Sequence, residues 1–500
     1  MEQNDHAITP ASRHAPVVRR TLWVGPLLAL ALAAGCTVGP NYAPPKGQLP
    51  AAWAGPIPQG AAQTAASADA ALAQWWTVFG DATLTSLIRR AVASNLDLKL
   101  AESRIRQARA SRGIAVAALG PTVNLTGSVT RSKAPGTDNG PAGPVEGQIS
   151  NMWQDGFDAA WELDIFGGAR RGVEAATANV QSAIASRDDV LVTLVAEVAV
   201  DYMDLRSFQA RIAVAQDSFK AQQRTSDITQ QRFMGGQGFA SALDVANAKA
   251  QVATTTAQIP LLESSAQQTI YALSILLGEA PGELVEELSQ ARPIPVAPPA
   301  VPVGVPSDLL RRRPDIRAAE ANIHAATAEI GVATADLYPR FNLTAGGGFQ
   351  GNHAEALTDW ISRFWSIGSA ASWQIFSSGA VTSNIEVQKA LQDQSVITYR
   401  QTVLAGLQEV ENALIASTKD QERRAALADA VASNRKAVEL STELYIEGLT
   451  DFLNVLQAQG ALFSTQDALT QSDQAVSSDL VALYKALGGG WQAPQQAGGE

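Results

Sequence analysis

With a single cysteine, Cys36, this 500-residue chain forms no internal disulfide. Its four histidines make no zinc-type cluster: His6 and His14 fall near the start, and His324 and His353 stand alone. Four methionines, one of them the initiator, do not line a path for soft metal ions. Aromatic residues are only 6% of a chain that is 46% apolar, too few for a bulky globular core. Net charge is −11 without a long run of one sign, and no Lys/Arg stripe interleaves with aromatics, which speaks against nucleic acid as a partner. No nucleophile–base set appears, and "AGGGF" (345–349) lacks the Lys-Ser/Thr of a phosphate loop, so the chain does not read as an enzyme. What remains is long tracts of Ala, Gln, Ser and Val, a composition for extended helices packed through small side chains.

The first positive feature is the start. Arg13, Arg19 and Arg20 precede the run "TLWVGPLLALALAA", which stops at Gly35-Cys36. A basic segment, a short apolar run and small residues before a cut read as an export signal over residues 1–35. The run is too short and wrongly flanked for a spanning helix. It closes on "AAGC", which resembles a bacterial lipobox with Leu32 one place early. That resemblance implies that Cys36 becomes the lipid-modified first residue of the mature chain, with palmitate among its acyl groups. More than one acyl chain anchors stably where one does not. Apart from this covalent lipid no cofactor is expected. Thr37 is not the Asp that resembles an inner-membrane retention signal, so the outer membrane is favoured.

The chain then repeats itself. "PTVNLTGS" begins at Pro121 and "PRFNLTAGG" at Pro339, an offset of 218 that also relates Asp97 to Asp315 and Ala101-Glu102 to Ala319-Glu320. Further on the offset is 210, relating Phe166, Asp244-Val245 and Leu277-Gly278 to Phe376, Asn454-Val455 and Leu487-Gly488. Between the halves lies "ARPIPVAPPAVPVGVP" (291–306), too rich in proline for helix or central strand. The expected order is an extended segment over 36–80, a first repeat over 81–290, this linker, a second repeat over 307–490 and a tail over 491–500.

Each repeat reads as helix, strand, loop, strand, long helix, turn, long helix. A helical pattern from about Leu84 to Ala118 ends at Gly120-Pro121, and Val123, Leu125, Gly127 and Val129 then alternate with polar neighbours. Trp153, Phe157, Ala159, Trp161, Leu163 and Ile165 return, predicting strands over about 121–132 and 153–165. Phe341, Leu343 and Ala345, then Trp365, Ile367, Ala371, Trp373 and Ile375, predict strands over about 340–350 and 364–376. Ten residues per strand crosses a tilted bilayer span, with tryptophans at the interface. Helical hairpins are expected over about 168–278 and 379–488. The seam Leu191, Val195, Val198, Tyr202, Leu205, Ile212 and Phe219 keeps coiled-coil spacing, and about 65 proline-free residues span roughly 100 Å. Four strands cannot close a membrane barrel, whose smallest forms have about eight, so strands must be shared between chains. The fold class is therefore mainly α with a membrane β part, and eight or twelve strands follow from two or three copies.

At these residues the chain resembles the TolC-type outer-membrane factors, in the efflux lipoprotein branch that is NodT- and OprM-like. The most specific pieces are "CTVGPNYAPP" (36–45), "LLRRRPDIRAAEANI" (309–323), "YPRFNLTAG" (338–346), "LQEVENAL" (407–414) and "ALGGGW" (486–491). The resemblance implies a homotrimer: a twelve-stranded barrel in outer-membrane lipid, continued as a helical tube through the periplasm. It implies partners too, a periplasmic membrane-fusion adaptor and an inner-membrane transporter, with "RRRPDIRAAE" leaning toward the resistance-nodulation-division type. The function implied is a passive exit duct for drugs and toxic organics. It also places the periplasmic aperture just beyond the second hairpin turn, at Leu453, Asn454 and Gln457, with Asp244 as the first-half counterpart of Asn454. Aspartate rings are common there in the family, whereas neutral amides here put cation selectivity in question. Adaptor contact is implied for the hairpin-tip glycines Gly235, Gly236, Gly238 and Gly448, which the turns need in any case. Ser241-x-x-Asp244 equally fits a helix capping box, and Arg311–Arg313 fits a packing feature beside Pro314 and Asp315. Two alternatives compete with drug efflux: a type I protein-secretion exit, and a lipid-anchored coiled-coil scaffold without a pore.

Overall fold

A computed structural model of the protein describes residues 37–45, 49–55, 72–138, 144–235, 240–296 and 306–491. The export signal, Cys36, Gly236, Gly238, most of the proline-rich linker and the tail after Trp491 lie outside the described residues. In chain order the main elements are α1 (Ala82–Ser94), α2 (Leu96–Ala117), β1 (Thr122–Lys133), β2 (Ile149–Leu163), α3 (Gly168–Met234), α4 (Ala242–Leu276), α5 (Pro314–Ala335), β3 (Arg340–Gly351), β4 (Arg363–Ser372), α6 (Ala380–Glu447) and α7 (Phe452–Ala486). The chain divides into two compact units, one containing 114–173 and 328–388 with the first residues to 41, the other 42–113, 174–327 and 389 onward.

The first unit holds a four-stranded antiparallel sheet in the order β1-β2-β3-β4. The inner pair, β2 with β3, joins the two repeats. Directly opposed residues of neighbouring strands share a face. Leu125, Phe157, Gly347 and Trp365 therefore form one row, and Val123, Ala159, Ala345 and Ile367 the next. The other face carries Asn124, Asp158, Gly346 and Ser366, with Asn124 Nδ2 donating to Asp158 Oδ2 at 3.1 Å. In the single chain the apolar face is bare: Leu125 is 71%, Phe157 62% and Trp365 77% exposed. Gly156 opposes Gly348, where a Cβ would come within 2.0 Å of the Asp155 carbonyl, so only glycine lets these strands approach.

Both helix-to-strand junctions carry the same bond. Trp161 Nε1 donates to the Leu119 carbonyl at 2.9 Å, and Trp373 Nε1 donates to the Leu337 carbonyl at 3.0 Å. Each bond satisfies a carbonyl left over at a helix end, just before Pro121 or Pro339. The returning strands are shorter at their ends than the alternation predicts: β2 stops at Leu163, not Ile165, and β4 at Ser372, not Ile375 or Phe376. After Leu163 the Asp164 carboxylate accepts from the backbone N–H groups of Ala169 (3.2 Å) and Arg170 (2.9 Å), starting α3. The apolar order persists there after the ladder has ended.

In the second unit, the helix expected over 84–118 is two helices. Asn95 sits between α1 and α2 with extended ψ of 137°, its Oδ1 accepting from Leu98 N at 2.9 Å and its Nδ2 donating to the Leu276 carbonyl at 2.9 Å. A side-chain cap thus replaces a turn of helix without disturbing the apolar period. The long helices α3 and α6 run 67 and 68 residues, about 100 Å each at 1.5 Å per residue. Of the predicted seam, Leu191, Val195, Val198, Tyr202 and Leu205 are buried, while Ile212 and Phe219 are half-buried. The core around the buried part includes Trp75, Leu84, Leu87, Leu273, Leu277 and Tyr484, with Trp75 stacked on Tyr484 at 5.2 Å.

Candidate functional site

Of the sequence-predicted tip residues, Gly235, Asp244, Gly448, Leu453, Asn454 and Gln457 are described, beside the two hairpin turns. In the second repeat, α6 ends as Gly448 takes a φ of 76°, a conformation that costs glycine nothing. Gly448 N donates to the Tyr445 carbonyl at 3.1 Å and Leu449 N to the Leu444 carbonyl at 2.8 Å, closing the last turn. Helix α7 then starts after Asp451, whose side chain makes no capping bond. Leu453 is 54% exposed, and Asn454 and Gln457 are exposed beside it. Their neighbours Phe452 and Val455 turn the other way and are buried. The Asn454 amide is not idle: Nδ2 donates to Thr450 Oγ1 at 2.7 Å, one helical turn back. Gln457 makes no hydrogen bond among the described residues, so its amide is free for a partner.

In the first repeat, Gly235 N donates to the Gln231 carbonyl at 2.9 Å as α3 closes. Helix α4 opens with a complete capping box. Asp244 N donates to Ser241 Oγ at 3.2 Å, and Ser241 N donates to Asp244 Oδ2 at 2.7 Å. Ser241 Oγ donates to the same carboxylate oxygen at 2.8 Å. The Asp244 carboxylate is therefore engaged at its own helix start.

The structure adds residues that the sequence reading did not single out. Tyr445 (2% exposed), Phe452, Val455 and Ala248 form a small core that takes in Ile228 and Leu456. The Arg232 guanidinium lies 4.8 Å from the Tyr445 ring centre, and Arg232 also donates to the Tyr445 carbonyl. Tyr445 donates its hydroxyl to Thr229 Oγ1 at 3.3 Å, and Gln459 Nε2 donates to Thr225 Oγ1 at 2.9 Å. The ends of α3 and α6 and the start of α7 are thus fastened within one chain. A signal was present: Tyr445 stands three residues before Gly448, where an apolar tip side chain has only a hairpin to pack against.

The triplet Arg311–Arg313 packs rather than opens a site. Arg313 is buried and donates to Asp315 (2.7 Å), Glu409 (2.7 Å) and the Ala486 carbonyl (2.9 Å). These carboxylates hold its guanidinium charged against the opposing effect of burial. Arg312 and Asp308 are buried beside it. Among the described residues no group of three His, Cys, Asp or Glu side chains is placed to hold a metal ion. No described helix is long and apolar enough to cross a membrane.

Against known proteins, the chain matches the family model described as outer membrane efflux protein over residues 87–279 and 305–489. It is 32% identical over 483 residues to nodulation protein T of Rhizobium leguminosarum bv. trifolii, covering 96% of this chain and 100% of the relative. It is also 32% identical over 482 residues to the toluene efflux pump outer membrane protein TtgF of Pseudomonas putida, covering 94% and 97%. Among solved structures, the outer-membrane channel OprN superposes with a TM-score of 0.83 at 36% identity, over 91% of this chain and 100% of that one. The open state of the Neisseria gonorrhoeae MtrE outer membrane channel gives 0.78 at 26% identity, over 92% and 100%.

Proposed function

We propose how this chain works from one premise: it belongs to the outer membrane efflux protein family. It is the outer-membrane exit duct of a tripartite efflux system, and it does no covalent chemistry. Small molecules reach it from an inner-membrane transporter and a periplasmic adaptor and leave through it passively. The observation that carries the reading is the sheet. Among the described residues β1 pairs only with β2 and β4 only with β3, which leaves two open edges beside an uncovered apolar face. Each unpaired backbone group in lipid costs several kcal/mol, so a membrane sheet must close. Three copies supply twelve strands, and their polar face, with Asn124 and Asp158, then lines a wet lumen.

Further parts of the proposal rest on local features. Cys36 carries the lipid anchor. Its neighbour segment is tied down: Val38 N donates to the Phe166 carbonyl at 3.0 Å, and Arg171 donates to Val38 O (3.1 Å) and Asn41 Oδ1 (2.7 Å). Gly39 lies against Gly331, where a Cβ would come within 2.5 Å. Such a strap fixes Val38, two residues after Cys36 in sequence, against Phe166, three residues past the end of β2. The transporter is of the resistance-nodulation-division type, and drugs and toxic organics are the cargo. Leu453, Asn454 and Gln457 form the periplasmic aperture, Asp244 lies at its rim, and the tip turns at Gly235, Gly236, Gly238 and Gly448 receive the adaptor.

The first test is imaging of detergent-purified protein from the membrane fraction, with conductance measured in planar bilayers. Three-fold tubes of roughly 100 Å or more, consistent with the helix rise, together with conducting pores, are expected. Monomers or pairs without a lumen would overturn the duct. For the aperture, Asn454→Ala combined with Gln457→Ala is expected to raise single-channel conductance. Unchanged conductance moves the constriction to Leu453.

A further inference from the structure

The second unit contains a cavity of about 390 Å³ that the duct does not use. The glycine-rich close of the chain builds one wall. Gly488 and Gly490 take φ values of 73° and 102°, and a Cβ on Gly488 would lie 3.0 Å from the Arg312 carbonyl. These turns deliver Trp491, whose Nε1 donates to the Arg312 carbonyl at 2.9 Å. The Arg317 guanidinium sits 4.9 Å from the indole centre. One edge and one face of Trp491 are therefore fixed, and it lines the cavity with Trp76, Ile88 and Leu191.

The polar side of the cavity is cationic. Arg89, on α1, lines it, is exposed, and has no hydrogen-bond or ion-pair partner among the described residues. Arg187, on α3, pairs with buried Asp188 at 2.9 Å, yet its Nε is buried without a partner. Asp188 also faces Arg317 at 3.8 Å, and Glu102 stands exposed at the cavity's edge. Of the charged side chains that line the cavity, two are guanidiniums, Arg89 and Arg187, and one is a carboxylate, Glu102.

We propose that this cavity binds a single-chain amphiphile with an anionic head, its apolar body between Trp76 and Trp491 and its head on Arg89 and Arg187. The volume lies in the range of small-ligand sites, and it does not admit a two-chain phospholipid. Carboxylate and phosphate heads both match a guanidinium donor, which pairs with either through parallel N–H bonds. The "ALGGGW" motif thereby gains a role in shaping a ligand wall, in addition to closing α7.

The test uses the full chain in lipid nanodiscs titrated with a bromine-labelled dodecanoate, since bromine quenches indole fluorescence on contact. A saturable component is expected above the linear rise caused by partition into lipid. Arg89→Glu should weaken it at least tenfold, a bromine-labelled dodecanol should bind at least tenfold more weakly, and Ala93→Phe, which fills the cavity, should abolish it. Thermal midpoints check folding, and if Ala93→Phe is destabilised the exposed Arg89→Glu decides alone. A purely linear rise, or saturable quenching unchanged by Arg89→Glu, overturns the site. A brominated phosphatidylglycerol in the disc that displaces dodecanoate places a membrane lipid there instead and overturns the free amphiphile. Channel formation is read separately by conductance, so its failure is distinguishable from the failure of this site.

Discussion

At the helix-to-strand junctions the repeats are near copies: Trp161 on Leu119 and Trp373 on Leu337, at 2.9 and 3.0 Å. At the hairpin turns they part. Phe233, near the end of α3, is 44% exposed, whereas Tyr445, near the end of α6, is 2% exposed. The first turn hands over to a self-sufficient capping box, Ser241 with Asp244, and the second to Asp451, which makes no capping bond. The duplication kept its chemistry where every strand must enter a sheet in the same way. It diverged at the helix ends beside the turns, where Tyr445 is buried and Phe233 is exposed. The described helix ends are therefore stabilised by different means, burial at Tyr445 in the second repeat and local hydrogen bonding at Ser241 and Asp244 in the first.

The largest effect should come from breaking that asymmetry. Tyr445→Ala removes a buried ring from the small core and leaves Arg232 without its aromatic face, a loss of about 3–5 kcal/mol on the scale of buried aromatic truncations. Phe233→Ala, on a side chain that is nearly half exposed, should stay within about 0.5 kcal/mol. Denaturant or thermal midpoints of the two variants measure the gap, and equal losses would erase the distinction between the turns. The junctions make the opposite prediction. Trp161→Phe and Trp373→Phe each remove one indole N–H from a helix-end carbonyl and should cost about 1 kcal/mol. Losses that differ by several-fold would show that the copied bond is not used alike in the two repeats.

Much of this architecture was readable from the chain because the periods are clean. Val123, Leu125 and Val129 alternate as a strand with one apolar face must, and the structure places them in one ladder with Phe157 and Ala159. Long proline-free heptads pointed to α3 and α6, and beyond Leu205 the buried positions of α3 pass largely to polar side chains such as Arg206, Gln209 and Thr229. What escaped was chemistry that leaves the period intact. Asn95 interrupts a helix by capping it, and hydrophobic spacing runs through the break unchanged. Ile165 and Ile375 continue an alternation beyond the last ladder bond, because side-chain order does not report backbone pairing. Trp161 and Trp373 looked like interface anchors, yet each also donates a specific hydrogen bond. The Arg232–Tyr445 contact joins residues 213 positions apart, and local pattern carries no trace of such a pair. At the tips, residue types alone left Asp244 between a cap and a lumen charge, and only geometry shows the carboxylate engaged by Ser241.

A smaller asymmetry lies higher on the helices. Asp479 of α7 is partly buried, and burial, followed by its contact with Asp420 of α6, holds its carboxyl well above the ordinary carboxylate range. At the repeat offset of 210 the counterparts are Thr269 and Ala210, so the first repeat has no such pair. Because the folded carboxyl binds its proton more tightly than the unfolded one, the folded state holds the extra proton in the window between the two pKa values. Stability from this site is full below the unfolded carboxylate range and declines as pH rises toward neutrality. Arg423 lies 3.8 Å from Asp420. The thermal midpoint should accordingly rise by a degree or so when pH falls from about 7.5 to 5.5, since partly exposed charges are well screened. Asp479→Asn should flatten that slope, while Thr269→Asn in the first repeat should leave it unchanged. If both variants keep the wild-type slope, the proton is held elsewhere, with Asp201 of α3, pushed up to about 6 mainly by burial, as the next group to replace.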